Sequence, residues 1–312
     1  MPIDVLVLGG TGFVGRHVVA KLAAAGHRIV VPTRRRERAR DVVMLPTVTV
    51  VEADVHDPKQ LTALVARADC VVNLVGILHE QDGQTFVRAH VELPRSVVAA
   101  CKAAGVRRLV HMSALGAAPD GPSRYQRSKG EAEALVAASG LDWTIFRPSV
   151  VFGRGDSFLT MFAKLVRLLP VVALAAPNAR FQPVWIGDVA HCFAHSVDDA
   201  RTIAQRYDLC GPKVYTLREL VAYVGRLTGH PRPIVPLGPG LSALQARLLE
   251  LAPVKLMTRD NLASMSLDNV SDAPFPAVFG IAPRPLEAIA PEYLGAASTR
   301  SRYDEFRAHG GR

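Results

Sequence analysis

Cysteine is scarce in this chain and follows no pattern. The 312 residues include four cysteines, Cys70, Cys101, Cys192 and Cys210, with neither a CxxC pair nor metal-ligand spacing. Isolated cysteines of this kind are typical of buried, reduced thiols in a reducing compartment. We therefore expect no disulfide framework, no metal site and a cytoplasmic location. Because the first strand begins within a few residues of Met1, we also expect no signal peptide.

The chain also lacks a long uninterrupted apolar run. The most hydrophobic stretch, residues 158–177, contains Lys164, Arg167 and Pro170, and this excludes a membrane-spanning helix there. We expect the stretch to form a helix and a loop that line a cleft. The alternative is contact with a membrane surface or with an apolar substrate. A peripheral position at the inner face of a membrane therefore stays open.

Positive charge is not concentrated on any one segment except a short arginine cluster. The formal net charge is +9, and basic residues group only in residues 34–40, Arg-Arg-Arg-Glu-Arg-Ala-Arg. A nucleic-acid surface would combine a basic stripe with interleaved aromatic side chains, and the sequence has no such stripe. We therefore expect no nucleic-acid partner, and the arginine cluster needs another explanation.

The most informative pattern is a glycine-rich turn near the amino terminus. An apolar strand runs into three glycines at GxxGxxG spacing, and helical spacing then resumes. One glycine permits the turn, one lets the backbone approach a pyrophosphate, and one lets the helix pack closely on the strand. The amino end of the helix favours the negative phosphates. The alternative is an ordinary glycine-rich turn. We expect the following residues to contact a bound dinucleotide: Gly9, Thr11, Gly12, Phe13, Val14 and Gly15.

Strand and helix patterns alternate through the first half of the chain. Short, continuous apolar strands separated by helices predict a parallel sheet that is covered on both faces. The right-handed crossover rule then gives an α/β fold, a doubly wound Rossmann architecture. The strands that we predict cover residues 3–8, 28–32, 48–52, 70–75, 109–112, 143–147, 184–186 and 207–210, with helices over 13–25, 85–104 and 124–138.

The rhythm changes after residue 148, and this predicts a second part of the chain. It is expected to be smaller and mainly helical, with a proline-rich connection over residues 230–240. The domains that we predict are residues 1–150 with 182–212 for NAD(P) binding, residues 151–181 with 213–295 as a substrate lobe, and residues 296–312 as a polar tail.

The residues after the second strand indicate which coenzyme is preferred. An acidic residue usually ends this strand and contacts the adenosine ribose, but here Arg34 and Arg35 follow it. Because a guanidinium is a planar fork suited to phosphate, we predict NADP rather than NAD, although NAD stays open. The alternative is a solvated basic loop. Asp54, with Val55, is predicted either to meet the adenine or to cap the next helix. The segment Leu74-Val75-Gly76 would pass close under the adenosine.

A serine and a tyrosine–lysine pair suggest proton transfer. Tyr125 and Lys129 are four residues apart and share one face of a helix, and Ser113 follows the fifth strand. A neighbouring ammonium favours phenolate and lowers a phenol pKa from its usual value near 10. We therefore predict Tyr125 as acid and base, Lys129 as the group that lowers its pKa, and Ser113 as the group that orients a substrate oxygen. The alternative is a solvated helix face.

These pieces resemble the short-chain dehydrogenase/reductase superfamily, in its extended or atypical, epimerase/dehydratase-like branch. The matching segments are residues 9–15, 113–117, Tyr125 with Lys129, 147–153 and 184–190. The resemblance implies an NAD(P)-binding Rossmann domain with a small substrate lobe. It also implies the roles given for Ser113, Tyr125 and Lys129, and it places Pro148 and Val151 beside the nicotinamide.

Within that superfamily, residues 113–117, 129–133 and 258–261 are most similar to one subgroup, which includes the NADPH-binding accessory subunit of respiratory complex I. This similarity implies a bound NADPH with a structural or unknown role. Asn73 departs from the Asn-Ala-Gly phrase of the shorter enzymes, and no role is assigned to it.

Three functions stay open. The first is an NADP-preferring oxidoreductase, or an epimerase or dehydratase, with an unidentified small-molecule substrate. The second is a cofactor-stabilised accessory or assembly protein of a respiratory or membrane complex, without turnover. The third is a sensor of the NADP/NADPH ratio. A homodimer is also open, since many members of the superfamily dimerise.

Overall fold

A parallel sheet forms the centre of the fold. The computed structural model describes residues 1–81, 83–250 and 257–295. In chain order the strands are β1 (Asp4–Leu8), β2 (Arg28–Thr33), β3 (Val48–Glu52), β4 (Cys70–Asn73), β5 (Arg108–Met112), β6 (Asp142–Pro148), β7 (Val151–Phe152), β8 (Val172–Leu174), β9 (Arg180–Phe181), β10 (Val184–Trp185), β11 (Gln205–Leu209), β12 (Tyr215–Thr216) and β13 (Ile234–Pro236). The main sheet has the strand order β11-β6-β5-β4-β1-β2-β3. Every neighbouring pair in it is parallel.

Helices connect these strands and confirm the predicted doubly wound Rossmann fold. They are α1 (Phe13–Ala24), α2 (Pro58–Val65), α3 (Leu93–Ala104), α4 (Arg124–Ala137), α5 (Phe158–Leu168), α6 (Ile186–Ser196), α7 (Leu217–Leu227), α8 (Pro239–Glu250), α9 (Arg259–Ser264) and α10 (Leu286–Leu294). A π-helical turn over Val87–Glu92 precedes α3, so the helix predicted over residues 85–104 is not one regular α-helix. Among the described residues, no helix has both the length and the apolar character needed to cross a bilayer.

The local sequence explains where the elements near the site begin and end. Val5 and Leu8 of β1 are fully buried, as expected for a strand covered on both faces. The predicted strand over residues 70–75 ends at Asn73. Helix α4 begins with a capping box, in which the Ser123 hydroxyl accepts the Gln126 N–H and the Gln126 side chain accepts the Ser123 N–H.

The strand order reverses next to β1. This strand lies between β2 and β4, and the sheet continues from β4 to β5 and β6 on one side and from β2 to β3 on the other. In open α/β sheets, ligands bind at the carboxyl ends of the strands beside such a reversal. The fold therefore directs attention to the segments that follow β1, β4 and β5.

The chain folds as two compact units, each with its own core. The first contains residues 1–148, 186–209 and 273–281, and the second contains the described residues of 149–185, 210–272 and 282–295. Buried side chains of the first unit include Leu6, Val71, Leu109 and Ile145. Buried side chains of the second include Phe152, Phe162, Leu220, Val224 and Leu286. The roles predicted for the two domains stay predictions, and the polar tail over residues 296–312 lies outside the described residues.

The third segment of the first unit is short and packs on aromatic rings. Phe279 lies 5.7 Å from the ring of Phe146 and 5.1 Å from that of Tyr207, measured between centroids. The Nε2 of His191 donates to the Phe279 carbonyl at 3.0 Å. Residues 273–281 thus belong with the first unit, although the sequence analysis placed them in the C-terminal lobe.

The predicted proline-rich connection over residues 230–240 contains regular structure. β13 pairs in parallel with β8, and α8 begins at Pro239. Proline is tolerated at the end of a strand and in the first turn of a helix, so the proline and glycine signals did not exclude these elements. The local turn signals were outweighed by pairing with a distant strand.

Substitution of Gly15 by alanine is expected to destabilise the first unit. A Cβ on Gly15 would lie 2.1 Å from the Gly9 carbonyl oxygen, so α1 would have to move away from the turn. Overpacking of this kind costs about 1–3 kcal/mol of unfolding free energy, measurable by urea denaturation. Gly238→Ala is the matched control, because a Cβ there meets nothing within 4 Å. Equal stability of the two variants would contradict the close packing.

Candidate functional site

The turn after β1 has a backbone conformation and close contacts that leave little room for a side chain at its glycines. Gly9 has a φ of 79°, a conformation that favours glycine, and a Cβ on it would lie 3.1 Å from the backbone of Leu74 and Val75. Gly12 is the N-cap of α1, and no side chain caps this helix end. The unpaired N–H groups of the first turn are a suitable site for an anion. The cradle therefore fits a dinucleotide pyrophosphate.

Two arginines lie directly after β2 and are exposed. The Thr33 hydroxyl donates to the Arg35 carbonyl at 3.1 Å, which fixes the turn that carries Arg34 and Arg35. Burial lowers the pKa of His56, and the nearby charges of Arg88 and Arg34 lower it further. The charges of Arg34 and Arg88 thus both act on His56. Arg88 was not predicted from the sequence.

Asp54 does not cap the helix that follows it. The N-cap of α2 is Asp57, whose carboxylate accepts the N–H groups of Lys59 and Gln60. Asp54 instead accepts the His56 N–H at 3.0 Å. The capping alternative for Asp54 is therefore wrong.

Lys129 is buried where three segments meet. Its Nζ donates to the Met112 carbonyl at 3.1 Å. A Cβ on Gly76 would lie 3.2 Å from this Nζ and 3.4 Å from the Nε2 of His90, so the absence of a side chain at Gly76 makes room for both groups. Burial lowers the pKa of Lys129 to about 8, while the charge of Glu133 acts in the opposite direction. The group is thus still mostly protonated at neutral pH, but it loses its proton far more readily than an exposed lysine.

Tyr125 remains a protonated phenol in this structure. Its ring meets those of Phe86 and His90 edge-on, with centroids 5.9 Å and 5.5 Å away. Burial raises the pKa of Tyr125 to about 12. The prediction that Lys129 lowers this pKa is therefore wrong here, because desolvation of the phenolate dominates.

A chain of hydrogen bonds through His90 fixes the start of α4. The Ile77 N–H donates to the Nε2 of His90 at 3.0 Å, so the ring proton must be on Nδ1. Nδ1 then donates to the Ser128 hydroxyl at 2.9 Å, which donates to the Tyr125 carbonyl at 2.8 Å. Burial, assisted by the charge of Lys129, lowers the pKa of His90 to about 2. The neutral imidazole therefore connects Tyr125 to the segment after β4.

Asn73 and His111 form a second buried pair. The Asn73 side-chain amide lies 3.3 Å from the Nδ1 of His111, and its oxygen accepts the Val75 N–H at 3.2 Å. Asn73 thus holds the segment after β4, which answers the question that the sequence left open. Burial, with the charge of Lys129, lowers the pKa of His111 to about 3.

Two polar atoms beside these groups have no hydrogen-bond partner. They are the Ser113 hydroxyl and the Nε2 of His111, both buried, and neither is paired within the described part of the chain. Buried polar atoms are normally paired, so exceptions of this kind are expected where a ligand binds. With the glycine cradle, these atoms form a polar edge that fits an NAD(P) coenzyme. No group of metal ligands is present among the residues that the structure describes.

The predicted site residues lie mostly along one edge of the main sheet. The structure places Gly9, Thr11, Gly12, Phe13, Val14 and Gly15 after β1, Arg34 and Arg35 after β2, Asp54 and Val55 after β3, Leu74, Val75 and Gly76 after β4, and Ser113 after β5. Pro148 ends β6, and its carbonyl accepts the Leu115 N–H at 3.0 Å. Tyr125 and Lys129 are on α4, whereas Val151 lies in β7 of the second unit.

Four residues of this group were missed by the sequence analysis or left without a role: Asn73, His90, His111 and Ser128. His90 stands in a helical pattern and Ser128 on an apparently solvated face, so neither position gives a local signal. His111 could have been found, because it interrupts the apolar strand Leu109-Val110-His111. A polar side chain in a strand buried on both faces requires a partner.

Comparison with known proteins agrees with this geometry. Residues 9–155 match a family model described as NAD(P)H-binding. The mouse protein NADH dehydrogenase (ubiquinone) 1 alpha subcomplex subunit 9, mitochondrial, is 31% identical over 92% of this chain and 78% of its own length. The chain belongs to the family of that subunit. Residues 9–155 therefore form an NAD(P)H-binding domain with the Rossmann fold described above.

Enzymes are also among the similar proteins. The NAD(P)H azoreductase of Xenophilus azovorans is 26% identical over 73% of this chain and 74% of its own length. The NADPH-dependent quinone oxidoreductase of Escherichia coli, solved in complex with NADPH, has a TM-score of 0.75 and 21% identity over 92% of this chain and 98% of that one. The structural likeness shows the shared fold, and the family contains members named as subunits of a complex.

The two buried histidines predict lower stability in mild acid. The pKa values of His90 and His111 are about 2 and about 3, whereas an unfolded histidine titrates near 6.5. Below about pH 6.5 the unfolded chain therefore binds more protons than the native chain. The contribution of the two neutral histidines to the free energy of unfolding is fully present above that pH and is lost as the pH decreases. Between about pH 7.5 and 5.5 each histidine should account for about 1.4 kcal/mol of unfolding free energy, measured by urea denaturation.

The matched variants separate this effect from a general loss of stability. His111→Gln should reduce the pH dependence by the share of one histidine. Ser128→Ala should lower stability at both pH values, because it removes the partner of His90, but it should keep the pH dependence. An unchanged slope in His111→Gln would contradict the assignment of a neutral buried imidazole.

Proposed function

We propose that this protein is an NADP-preferring oxidoreductase that reduces a carbonyl group of a small molecule. The observation that carries the proposal is the neutral phenol of Tyr125 next to a buried lysine, at the carboxyl edge of an NAD(P)H-binding sheet. A phenol with a pKa of about 12 keeps its proton at neutral pH, so Tyr125 carries the proton that a reduction consumes. Reduction requires a donor of this kind, because the oxygen gains a proton as the carbon gains a hydride.

In the proposed reduction, each residue of the site has a separate role. The bound coenzyme would supply the hydride. Tyr125 donates its proton to the substrate oxygen, and the unpaired hydroxyl of Ser113 is available to orient that oxygen. Lys129, whose pKa is about 8, would hydrogen-bond the nicotinamide ribose and favour the phenolate that remains after proton transfer. His90 and Ser128 keep the Tyr125 backbone in place.

The preference for NADP is supported by the cations after β2. Arg34 and Arg35 are exposed at the position where an acidic residue would select the ribose hydroxyls of NAD. The charges of Arg34 and Arg88 both act on His56. Guanidinium groups bind phosphate with two parallel hydrogen bonds, which suits the 2′-phosphate of NADP. Asp54 and the segment Leu74-Val75-Gly76 stay proposed contacts of the adenosine.

A second function is favoured by the family itself. A relative that is 31% identical over 92% of this chain is named as a subunit of a mitochondrial NADH dehydrogenase. We propose as the alternative that this chain binds NADPH for stability and assembles with a respiratory complex at the inner face of a membrane. The placement of Pro148 and Val151 beside the nicotinamide stays a proposal. Homodimerisation and an epimerase or dehydratase reaction stay proposals as well.

The substitution Arg34→Ala is expected to weaken the binding of NADPH and to leave the binding of NADH unchanged. Loss of a charge-assisted phosphate contact costs about 1.5–3 kcal/mol, or roughly ten- to a hundredfold in Kd, measured by calorimetry with each coenzyme. Arg40→Ala, another exposed arginine of the same cluster, is the control and should change neither Kd. Equal losses for NADPH and NADH would argue against a phosphate contact.

Tyr125→Phe is expected to abolish reduction while NADPH binding is retained. Loss of a general acid should lower kcat by roughly a hundredfold or more, followed as NADPH oxidation with a panel of aldehydes, ketones and quinones. Tyr207→Phe, a tyrosine on β11 that packs on Phe146, is the matched control. If the unmodified protein binds NADPH and reduces nothing in the panel, the accessory function is supported instead. If Tyr125→Phe keeps full activity, the proton donor is another group.

A further inference from the structure

Helix α8 turns a leucine stripe away from its own unit. Leu241, Leu244 and Leu248 are 59%, 52% and 59% exposed, whereas Ser242 and Ala246 are buried. The spacing of three and four residues places the leucines on one side of the helix. A helix of a globular protein usually buries such a stripe against the core and exposes the polar side. Here the small residues face inward and the large apolar ones face outward.

Neighbouring segments extend this apolar surface. The Val172 N–H donates to the Pro233 carbonyl, and the Gln245 side chain donates to the Ala173 carbonyl, both at 2.9 Å, so β8, β13 and α8 lie side by side. Leucines and valines of the same segments are exposed as well. The surface, which we call the leucine surface, consists of Leu168, Leu169, Val171, Val235, Leu241, Leu244 and Leu248.

Basic side chains predominate around the leucine surface, and Glu250, which ends α8, is paired with Arg259. Residues 158–180 and 220–249, which supply it, contain six lysines and arginines and no aspartate or glutamate. Exposed cations among them, Lys164, Arg167 and Arg247, pair with no carboxylate in the described ranges. The Arg232 side chain donates to the Val166 carbonyl at 2.9 Å, which joins the end of α5 to the segment before β13. Exposed aliphatic side chains and cations without a carboxylate partner thus lie on neighbouring segments of the second unit.

We propose that the leucine surface docks on an anionic phospholipid bilayer. An interfacial helix places aliphatic side chains at the boundary between headgroups and acyl chains, with lysines and arginines at the lipid phosphates. The residues that dominate protein–protein binding are often aromatic, and the exposed side chains of the leucine surface are leucines and valines only. Apolar patches of this kind on a protein surface commonly mark such interaction sites. The proposal uses residues of the second unit only and does not depend on the coenzyme reaction.

Vesicle flotation of the full chain tests this docking. The protein should float with phosphatidylcholine vesicles that contain phosphatidylglycerol, and it should not float with phosphatidylcholine alone. Leu244→Ser combined with Leu248→Ser should reduce the bound fraction roughly tenfold or more. Arg167→Gln or Arg247→Gln should each weaken binding roughly fivefold, which corresponds to about 1 kcal/mol for a cation near an anionic surface. High salt should weaken binding of the unmodified protein.

Matched controls keep folding and coenzyme binding separate from docking. Met44→Ser, at an exposed apolar residue of the first unit, and Lys102→Gln, at an exposed cation of the first unit, should float like the unmodified protein. All variants should bind NADPH with unchanged Kd. The proposal is overturned if the unmodified protein does not float with anionic vesicles, or if the controls lose binding equally. It is also overturned if the protein is a dimer that the leucine substitutions dissociate, because the surface would then bind a second copy of this chain.

Discussion

The candidate site depends on one buried ammonium. The Nζ of Lys129 lies beside the segment after β4, where Gly76 has no side chain and the Met112 carbonyl accepts a hydrogen bond. Burial holds His90 and His111 neutral, and the Lys129 charge adds to this effect because it raises the free energy of a protonated imidazole near it. Their tautomers then fix the hydrogen bonds that position Tyr125 and Val75. Burial and a single charge thus act together on the protonation of the two histidines.

Most of the fold could be predicted from the sequence, because periodicity and glycine spacing are local signals. The strands β1, β3 and β5 were located to within one residue, and the turn after β1 follows from its three glycines. β13 could not be predicted, since it exists through pairing with β8, and the prolines around it gave a turn signal. The same limit applies to residues 273–281, whose place depends on Phe279 meeting aromatic rings far away in sequence.

The site was predicted in outline and missed in its supporting contacts. Ser113, Tyr125 and Lys129 stand out through their positions after strands and at helical spacing. His90 contacts Ser128 and Asn73 contacts His111, each 38 residues away in sequence, and no spacing rule reveals such contacts. The pKa of Tyr125 was predicted in the wrong direction because attraction by an ammonium was considered without the desolvation of the phenolate. For an accessory subunit, the same neutral phenol would be compatible with a coenzyme that is held and not consumed.

The discontinuity of the first unit has a consequence for biosynthesis. On the ribosome, β1 to β6 are made before residue 148 has passed, yet β11, which covers the edge of β6, is made only after the first segment of the second unit. Until then the nascent sheet presents an unpaired edge, which is a template for intermolecular strand pairing. The aromatic closure by Phe279 comes later still. Translation must therefore pass Phe279 before the first unit is complete, and chaperone dependence should be concentrated between the synthesis of β6 and that of Phe279.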